Sequence, residues 1–149
     1  MNLTNGVNFM KIEGKLLKTG KFWAVEIPLL LIHTQGHSKK DALEMAKDAV
    51  EGVVNVEDFE AEVIEVNSET FIVGSENERA LLAAVLRQQR ASRNLSVRDV
   101  AARLGSNSPT SYSRYEGGSV KLSLEKFTEL LQAIDSEAEP VLNLVRKPA

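Results

Sequence analysis

Apolar and polar residues alternate along the first half of the chain with the two-residue period of β-strands. After Ser38 the period changes, because apolar residues then recur every three or four positions, as they do on one face of a helix. Ser38 and Asp41 have the spacing of a capping box at the start of that helix. The predicted strands are residues 9–17, 22–27, 29–32, 60–66 and 70–74. This order predicts an α+β fold, with one helix packed on an antiparallel sheet.

The second half of the chain, from Ser75 onward, has almost entirely helical periods. Gly105 follows one set of apolar positions, where a helix-ending glycine is expected. The tail from Pro140 is predicted as one last short strand. Four helices are predicted: Ser75 starts a capping box before the first, Ser96 caps and opens the second, Pro109 is the first residue of the third, and Ser123 caps the fourth. The second half is therefore predicted to be an all-α bundle.

The composition excludes several classes of protein. The chain has 149 residues and no cysteine, so it has no disulfide and no thiolate metal site. No apolar run approaches the roughly 20 residues of a membrane span, and the first residues do not resemble a signal peptide. We therefore predict a cytoplasmic protein that has no membrane partner.

Charge divides the chain at the same place as the hydrophobic pattern. Residues 1–75 have seven lysines, no arginine and twelve carboxylates, a net charge of −5. Residues 76–149 have a net charge of +2, and the segment from Arg79 to Lys121 has a net charge of +6. We predict two domains, 1–75 and 76–149. The basic segment suits nucleic-acid phosphates, and the acidic half suits a basic protein partner.

Residues 95–118 have the residue types that a helix-turn-helix requires. The motif needs a small residue where its two helices cross, a glycine in the turn and an inward apolar residue on the second helix. Ala101, Gly105 and Tyr112 supply these types in that order. Short hydroxyl donors and one long cation on the second helix suit base edges and phosphates in a major groove. The predicted DNA-binding residues are Ser96, Arg98, Ser108, Thr110, Ser111, Ser113, Arg114 and Lys121.

The segments "LSVRDVAARLG" and "SYSRYEGG" resemble the lambda-repressor/Cro-like (XRE-type) helix-turn-helix family, over roughly residues 77–136. Two departures are visible: the turn after Gly105 is about one residue longer than usual, and Val97 replaces the family's glutamine. The resemblance implies binding to double-stranded operator DNA and a structural role for Glu116. Since one small domain reads few base pairs, we expect a homodimer or a higher even oligomer.

The first half resembles the HicB antitoxin family over about residues 9–66. The resemblance rests on Trp23, Pro28, Thr34-Gln35-Gly36, Ser38, Ala42-Leu43, Ala46 and Ala49. It implies a degraded ribonuclease-H-like sheet that binds and blocks a small basic HicA-like RNA-cleaving toxin. The chain would then be the antitoxin of a type II toxin–antitoxin pair and the repressor of its own operon. The candidate partner contacts are Trp23, Glu26 and Leu30.

Other functions remain open alternatives. The chain could be a stand-alone transcriptional regulator whose first domain dimerises or senses a ligand, or its helices could serve protein contacts alone. A nuclease would need clustered carboxylates, and only Glu13 and Glu26 are candidates to face one another. His33 and His37 are four residues apart, a metal-binding spacing only on a helix, and Gly36 between them indicates a turn with a positive φ angle. We therefore predict no enzyme activity, no cofactor and no metal site.

Overall fold

A computed structural model of the chain describes residues 10–148 and divides them into two compact units. The first unit contains residues 10–28 and 32–78, together with Lys147 and Pro148. The second contains residues 29–31 and 79–146. No helix within residues 10–148 is long and apolar enough to cross a membrane. Phe9, the first residue of the first predicted strand, lies outside the described residues.

The first unit is a five-stranded sheet in which every neighbouring pair of strands is antiparallel. The spatial order of the strands is β3-β2-β1-β5-β4. Their bounds are β1 Ile12–Thr19, β2 Phe22–Ile27, β3 Ile32–Gly36, β4 Glu62–Glu65 and β5 Thr70–Gly74. With the single helix of this unit and the helices of the second, the predicted α+β fold class is confirmed.

Helix α1, Lys39–Val54, packs on β2 and β3. The Ser38 hydroxyl accepts a hydrogen bond from the Asp41 amide, as predicted, and the Asp41 carboxylate accepts one from the His37 amide at 2.9 Å. The helix ends at Asn55, which has the left-handed conformation common at that position. Its buried residues recur every four positions and face the sheet: Ala42, Ala46, Val50 and Val54.

The predicted third strand, residues 29–32, is wrong. Residues Pro28–Leu30 form a short 3-10 turn, and Leu31 has a φ of 55°, which no strand can accommodate. The third strand is instead Ile32–Gly36, so His33 and Gly36, which were predicted to flank and form a turn, lie in a strand. It lies at the edge of the sheet, where polar residues face solvent.

Gly36 does not have the predicted positive φ. A Cβ at this position would overlap the backbone of Ala42, so glycine is needed because α1 passes very close to β3. The glycine therefore serves close packing of backbone on backbone rather than a special turn conformation.

The second unit contains four helices: α2 Glu78–Ser92, α3 Val97–Arg103, α4 Thr110–Glu116 and α5 Leu124–Ile134. Ser96 and Ser123 cap α3 and α5 as predicted. Ser75 does not cap α2, because its hydroxyl donates to the Glu60 carbonyl and accepts from the Asn77 amide, before the helix begins. The tail after Pro140 has no regular structure, so the predicted last strand is wrong. The fully buried side chains of this unit include Leu81, Leu86, Val100, Tyr112, Leu130 and Ile134.

Candidate DNA-binding surface

Helix α3 is fixed at both ends by local hydrogen bonds. The Ser96 hydroxyl accepts from the Asp99 amide at 3.0 Å, and the Asp99 carboxylate accepts from the Ser96 amide at 2.8 Å. These hydrogen bonds hold the pKa of the Asp99 carboxyl below its usual value. At the other end Gly105 has a φ of 82°, and the amides of Gly105 and Ser106 donate back to the carbonyls of Ala102 and Ala101. This is a Schellman ending, which requires the glycine and starts the turn toward α4.

The turn between α3 and α4 is held by its own hydroxyl groups. The Ser106 hydroxyl donates to the Ser108 carbonyl at 2.7 Å, and the Ser108 hydroxyl donates to the Thr110 hydroxyl at 3.0 Å. The Ser108 hydroxyl also accepts from the Thr110 amide at 3.3 Å. The extra residue noted in the sequence is therefore accommodated in a hydrogen-bonded turn. Asn107, exposed in this turn, has an amide able to contact a base or a phosphate and was missed by the sequence argument.

Helix α4 has one buried face and one exposed face. Tyr112 and Glu116 lie four residues apart and are both buried, as the 3.6-residue period requires. Tyr112 therefore faces inward, and Ala101 on α3 is buried as expected for the residue where the helices cross. Tyr115 is half-buried, and the other four side chains of the helix are exposed and available to a ligand: Thr110, Ser111, Ser113 and Arg114.

The buried face of α4 is held to α2 by an ion pair. The Arg90 guanidinium donates to the two Glu116 carboxylate oxygens at 2.6 and 2.9 Å. It also donates to the Leu95 carbonyl at 2.8 Å, which ties the segment before α3 to the same group. Hydrogen bonding to Glu116 raises the pKa of Arg90 above its usual value, so the guanidinium stays charged. Glu116 was expected to have a structural role, and its partner in that role is Arg90. The sequence did not identify this pair because the two residues are 26 positions apart.

Other arginines of the basic segment also hold the second unit together. Arg87 donates to the Glu116 carbonyl at 3.0 Å, and Arg93 pairs with Asp135 at 3.3 Å. Arg103 donates to the carbonyls of Ala133 and Ile134 at the end of α5, where the helix dipole favours a cation. The net charge of +6 therefore overstates the cations free to meet phosphates, since four of the seven arginines in residues 79–121 are engaged within the domain.

The Tyr112 hydroxyl is buried in the core of the second unit. Among the described residues it has no hydrogen-bond partner within bonding geometry. Burial raises the pKa of Tyr112 far above its usual value, and the nearby Glu116 carboxylate raises it further. The side chain is therefore neutral and acts in packing.

All eight residues predicted to bind DNA lie on the exposed surface of the second unit. Four of them have hydroxyls already used in local structure: Ser96 caps α3, Ser108 and Thr110 bond each other, and Ser113 donates to the Thr110 carbonyl at 3.0 Å. Each of these hydroxyls keeps acceptor capacity for a ligand. The exposed cations of the set are Arg98, Arg114 and Lys121.

The three residues predicted to contact a protein partner do not share one surface, since Trp23 and Glu26 belong to the first unit and Leu30 to the second. Leu30 is fully buried and the Gln88 side chain donates to its carbonyl, so it is not available to a partner. Trp23 lies on the same side of β2 as the core residue Val25, with the Lys39 ammonium 5.6 Å from its ring. Glu26 is exposed on the opposite side, because successive strand residues alternate between faces.

The arrangement of carboxylates and histidines differs from what a nuclease or zinc site would need. The residue opposite Glu26 on β1 is Lys15, not Glu13, and its neighbour on β3 is His33. His37 is not part of this group: the centroid of its ring lies 5.3 Å from the centroid of the Phe22 ring. Within the described part of the chain, no group of three histidine, aspartate or glutamate side chains could hold a metal ion.

Residues 81–143 match the family model of a helix-turn-helix domain, and the match covers α3, α4, α5 and α2 from Leu81 onward. Neither the comparison with curated proteins nor the comparison with solved structures found a match. The C-terminal part of this chain is a helix-turn-helix domain, the kind of domain that binds DNA in transcription regulators.

Proposed function

We propose that the chain is a HicB-like antitoxin that neutralises a small basic HicA-like toxin and represses its own operon. The observation that carries the DNA-binding half is the exposed face of α4, with Thr110, Ser111, Ser113 and Arg114 directed away from the core. The family match over residues 81–143 supports the same half. The acidic sheet unit supports the antitoxin half, because opposite charges speed and orient association with a basic partner.

On DNA, α4 acts as the recognition helix in the major groove. Arg114 supplies the long cation that reaches a guanine edge or a phosphate, and the short hydroxyl side chains contact bases close to the helix. The Arg90–Glu116 pair sets the orientation of α4 within the domain and makes no contact with DNA. Binding is salt-dependent because the exposed cations displace counterions.

The toxin binds the sheet face opposite α1. Leu17 is 62% exposed and Phe22 is 37% exposed on this face, which places apolar side chains where a partner can cover them. Glu13 and Glu26 lie on the same face and suit a basic partner. An apolar centre with charged neighbours is the usual composition of a protein interface.

Co-expression with any small basic protein that is encoded beside this chain tests the antitoxin half. We expect the full chain to pull down that protein and to restore growth. Leu17→Asp should weaken capture by at least about tenfold, since it puts a charge in the buried centre of the interface. Met45→Asp is the matched control, because Met45 is 37% exposed on the outer side of α1, and it should leave capture unchanged. No capture by the unmodified chain would contradict the antitoxin role.

Selection from a random duplex library tests the DNA-binding half separately from autorepression. Enriched sequences should contain two half-sites related by a two-fold axis. The region upstream of the operon should contain the same pattern and bind in a mobility-shift assay. Enriched sites that are absent from that region would contradict autorepression but not DNA binding.

A stand-alone regulator that senses a ligand is the second candidate. A groove of about 450 Å³ on the open face of the sheet, lined in part by Lys15, Ala24, Glu26 and His33, favours it. That volume is in the range of small-molecule sites. This function would be supported if operator binding responds to a small molecule and no toxin is captured.

A further inference from the structure

Strand β3 is an edge of the sheet that lacks the usual protection against pairing. Within residues 10–148 it pairs with β2 alone, so one side of its backbone has no strand beside it. Natural edge strands are commonly protected by charged side chains or proline, and the five residues Ile32–Gly36 include neither. The other edge strand, β4, has two carboxylates in four residues, Glu62 and Glu65. Of the two edges, β3 is therefore the one open to a further strand.

The backbone groups that point outward from β3 belong to His33 and Gln35. The hairpin between β1 and β2 has a two-residue turn, so Thr19 and Phe22 face one another as a hydrogen-bonded pair. Every second residue of β2 then bonds to β1, and the residues between them bond to β3. Their partners on β3 are Ile32, Thr34 and Gly36. Among the described residues, no hydrogen bond to the outward groups of His33 and Gln35 is found.

A second copy of β3 fits this edge best in one register. Side chains that face one another across an antiparallel pair lie on the same side of the sheet, so a two-fold axis must pass beside a residue that faces its own copy. With the axis at Thr34, His33 of each copy faces Gln35 of the other, and these two pairs exchange four hydrogen bonds. An axis at His33 would need Leu31, whose φ of 55° is not extended. An axis at Gln35 would need His37, whose amide is already hydrogen-bonded.

Helix α1 leaves room beside β3 for the same helix of a second copy. The Glu51 carboxylate accepts from the Ala61 amide at 2.9 Å, next to β4, so this flank of α1 points to the opposite edge of the sheet. By helical spacing, the flank toward the β3 edge has the small residues Ala49 and Gly52. A Cβ added at Gly52 would meet no atom within 4 Å, so a second helix can approach closely there.

We propose that β3 pairs antiparallel with β3 of a second copy of this chain, with the two-fold axis at Thr34. The two five-stranded sheets then form one continuous sheet. Thr34 faces Thr34 of the second copy, which is a favourable cross-strand pair, and the strands have no charges that repel. A strand added at an edge lies in the plane of the sheet, so the face opposite α1 stays uncovered in both copies. The pairing is a property of the protein alone and does not rest on toxin or operator binding.

Single cysteines test the register, because the chain has no cysteine of its own. In Thr34→Cys the two thiols face each other with Cα atoms about 4.5–5.5 Å apart, within reach of a disulfide. In Gln35→Cys, the matched control, the two Cα atoms lie about 8 Å apart, which is too far. With diamide as oxidant, Thr34→Cys should form a covalent dimer at least about tenfold faster, although Gln35 is the more exposed residue within one chain. Equal rates, or a faster reaction of Gln35→Cys, would overturn the proposal.

Sedimentation of the protein alone gives a second, independent test. Gln35→Pro removes an outward amide, which the fold of an edge strand tolerates, and it should raise the dimer dissociation constant at least about tenfold. Gln35→Ala is the control, because it keeps the amide, and it should leave the constant unchanged. A monomeric wild-type chain, or a dimer that Gln35→Pro leaves intact, would overturn the pairing. Either result would leave toxin capture and operator binding to their own experiments.

Discussion

Arg90 on α2 holds the carboxylate of Glu116 on α4 with two hydrogen bonds, of 2.6 and 2.9 Å, and both side chains are largely withdrawn from solvent. Removing either side chain leaves the other one charged and unpaired in a largely buried position, which is unfavourable. Glu116→Ala should therefore lower the free energy of unfolding by about 3 kcal/mol, measured by urea denaturation. Glu129→Ala, which breaks the exposed pair with Lys126, is the control and should change little. Equal losses in the two variants would show that the buried pair has no special role.

Arg114 is the cation of the exposed α4 face, so Arg114→Ala should weaken operator binding by at least about 1 kcal/mol, roughly fivefold. Fluorescence anisotropy with a labelled operator duplex would measure this at several salt concentrations. If Arg114 contacts a phosphate, the salt slope should also decrease by about one. Lys47→Ala is the control. It removes a cation on α1 of the first unit and should leave the affinity for the operator unchanged. Unchanged affinity in Arg114→Ala would show that α4 is not the reading helix.

Two glycines in the first unit should respond oppositely to alanine. Gly36→Ala places a Cβ against the backbone of Ala42 and should cost about 1–3 kcal/mol, because neither backbone can move freely. Gly52, in the last turns of α1, has no atom within 4 Å of an added Cβ. Gly52→Ala should therefore stabilise the unit by about 0.5–1 kcal/mol. Thermal unfolding would compare them, and a stabilising Gly36→Ala would contradict the close approach of α1 to β3.

The raised pKa of Tyr112 predicts that the second unit loses stability at alkaline pH. Its pKa is raised on folding, so the stability it contributes is present up to the usual tyrosine pKa near 10 and is lost as the pH rises further. Tyr112→Phe should be nearly neutral at pH 7, since the hydroxyl has no partner among the described residues. Above pH 10 the wild type should lose stability faster than the variant. Parallel curves of melting temperature against pH would contradict this.

Local signals predicted three helix starts correctly, although they failed at Ser75. Ser38, Ser96 and Ser123 each accept a hydrogen bond from the amide three residues later, which depends only on nearby residues. The inward positions of Ala101 and Tyr112 also follow from helical spacing.

Predictions that depended on distant contacts were less successful. The apolar run at 29–32 was predicted as a strand, yet Leu30 is buried in a 3-10 turn, because burial alone does not distinguish a strand from a turn. The polar alternation of the true third strand reflects its position at the sheet edge, which local sequence does not reveal. Counting arginines likewise could not show that Arg87, Arg90, Arg93 and Arg103 have partners within the domain.

The engagement of those arginines limits how the protein can search a chromosome. A domain with few unengaged cations releases few counterions on arbitrary DNA and so spends little time on sites that do not fit. For the repressor proposed above, residence at an operator therefore depends on base contacts more than on a general attraction to phosphates.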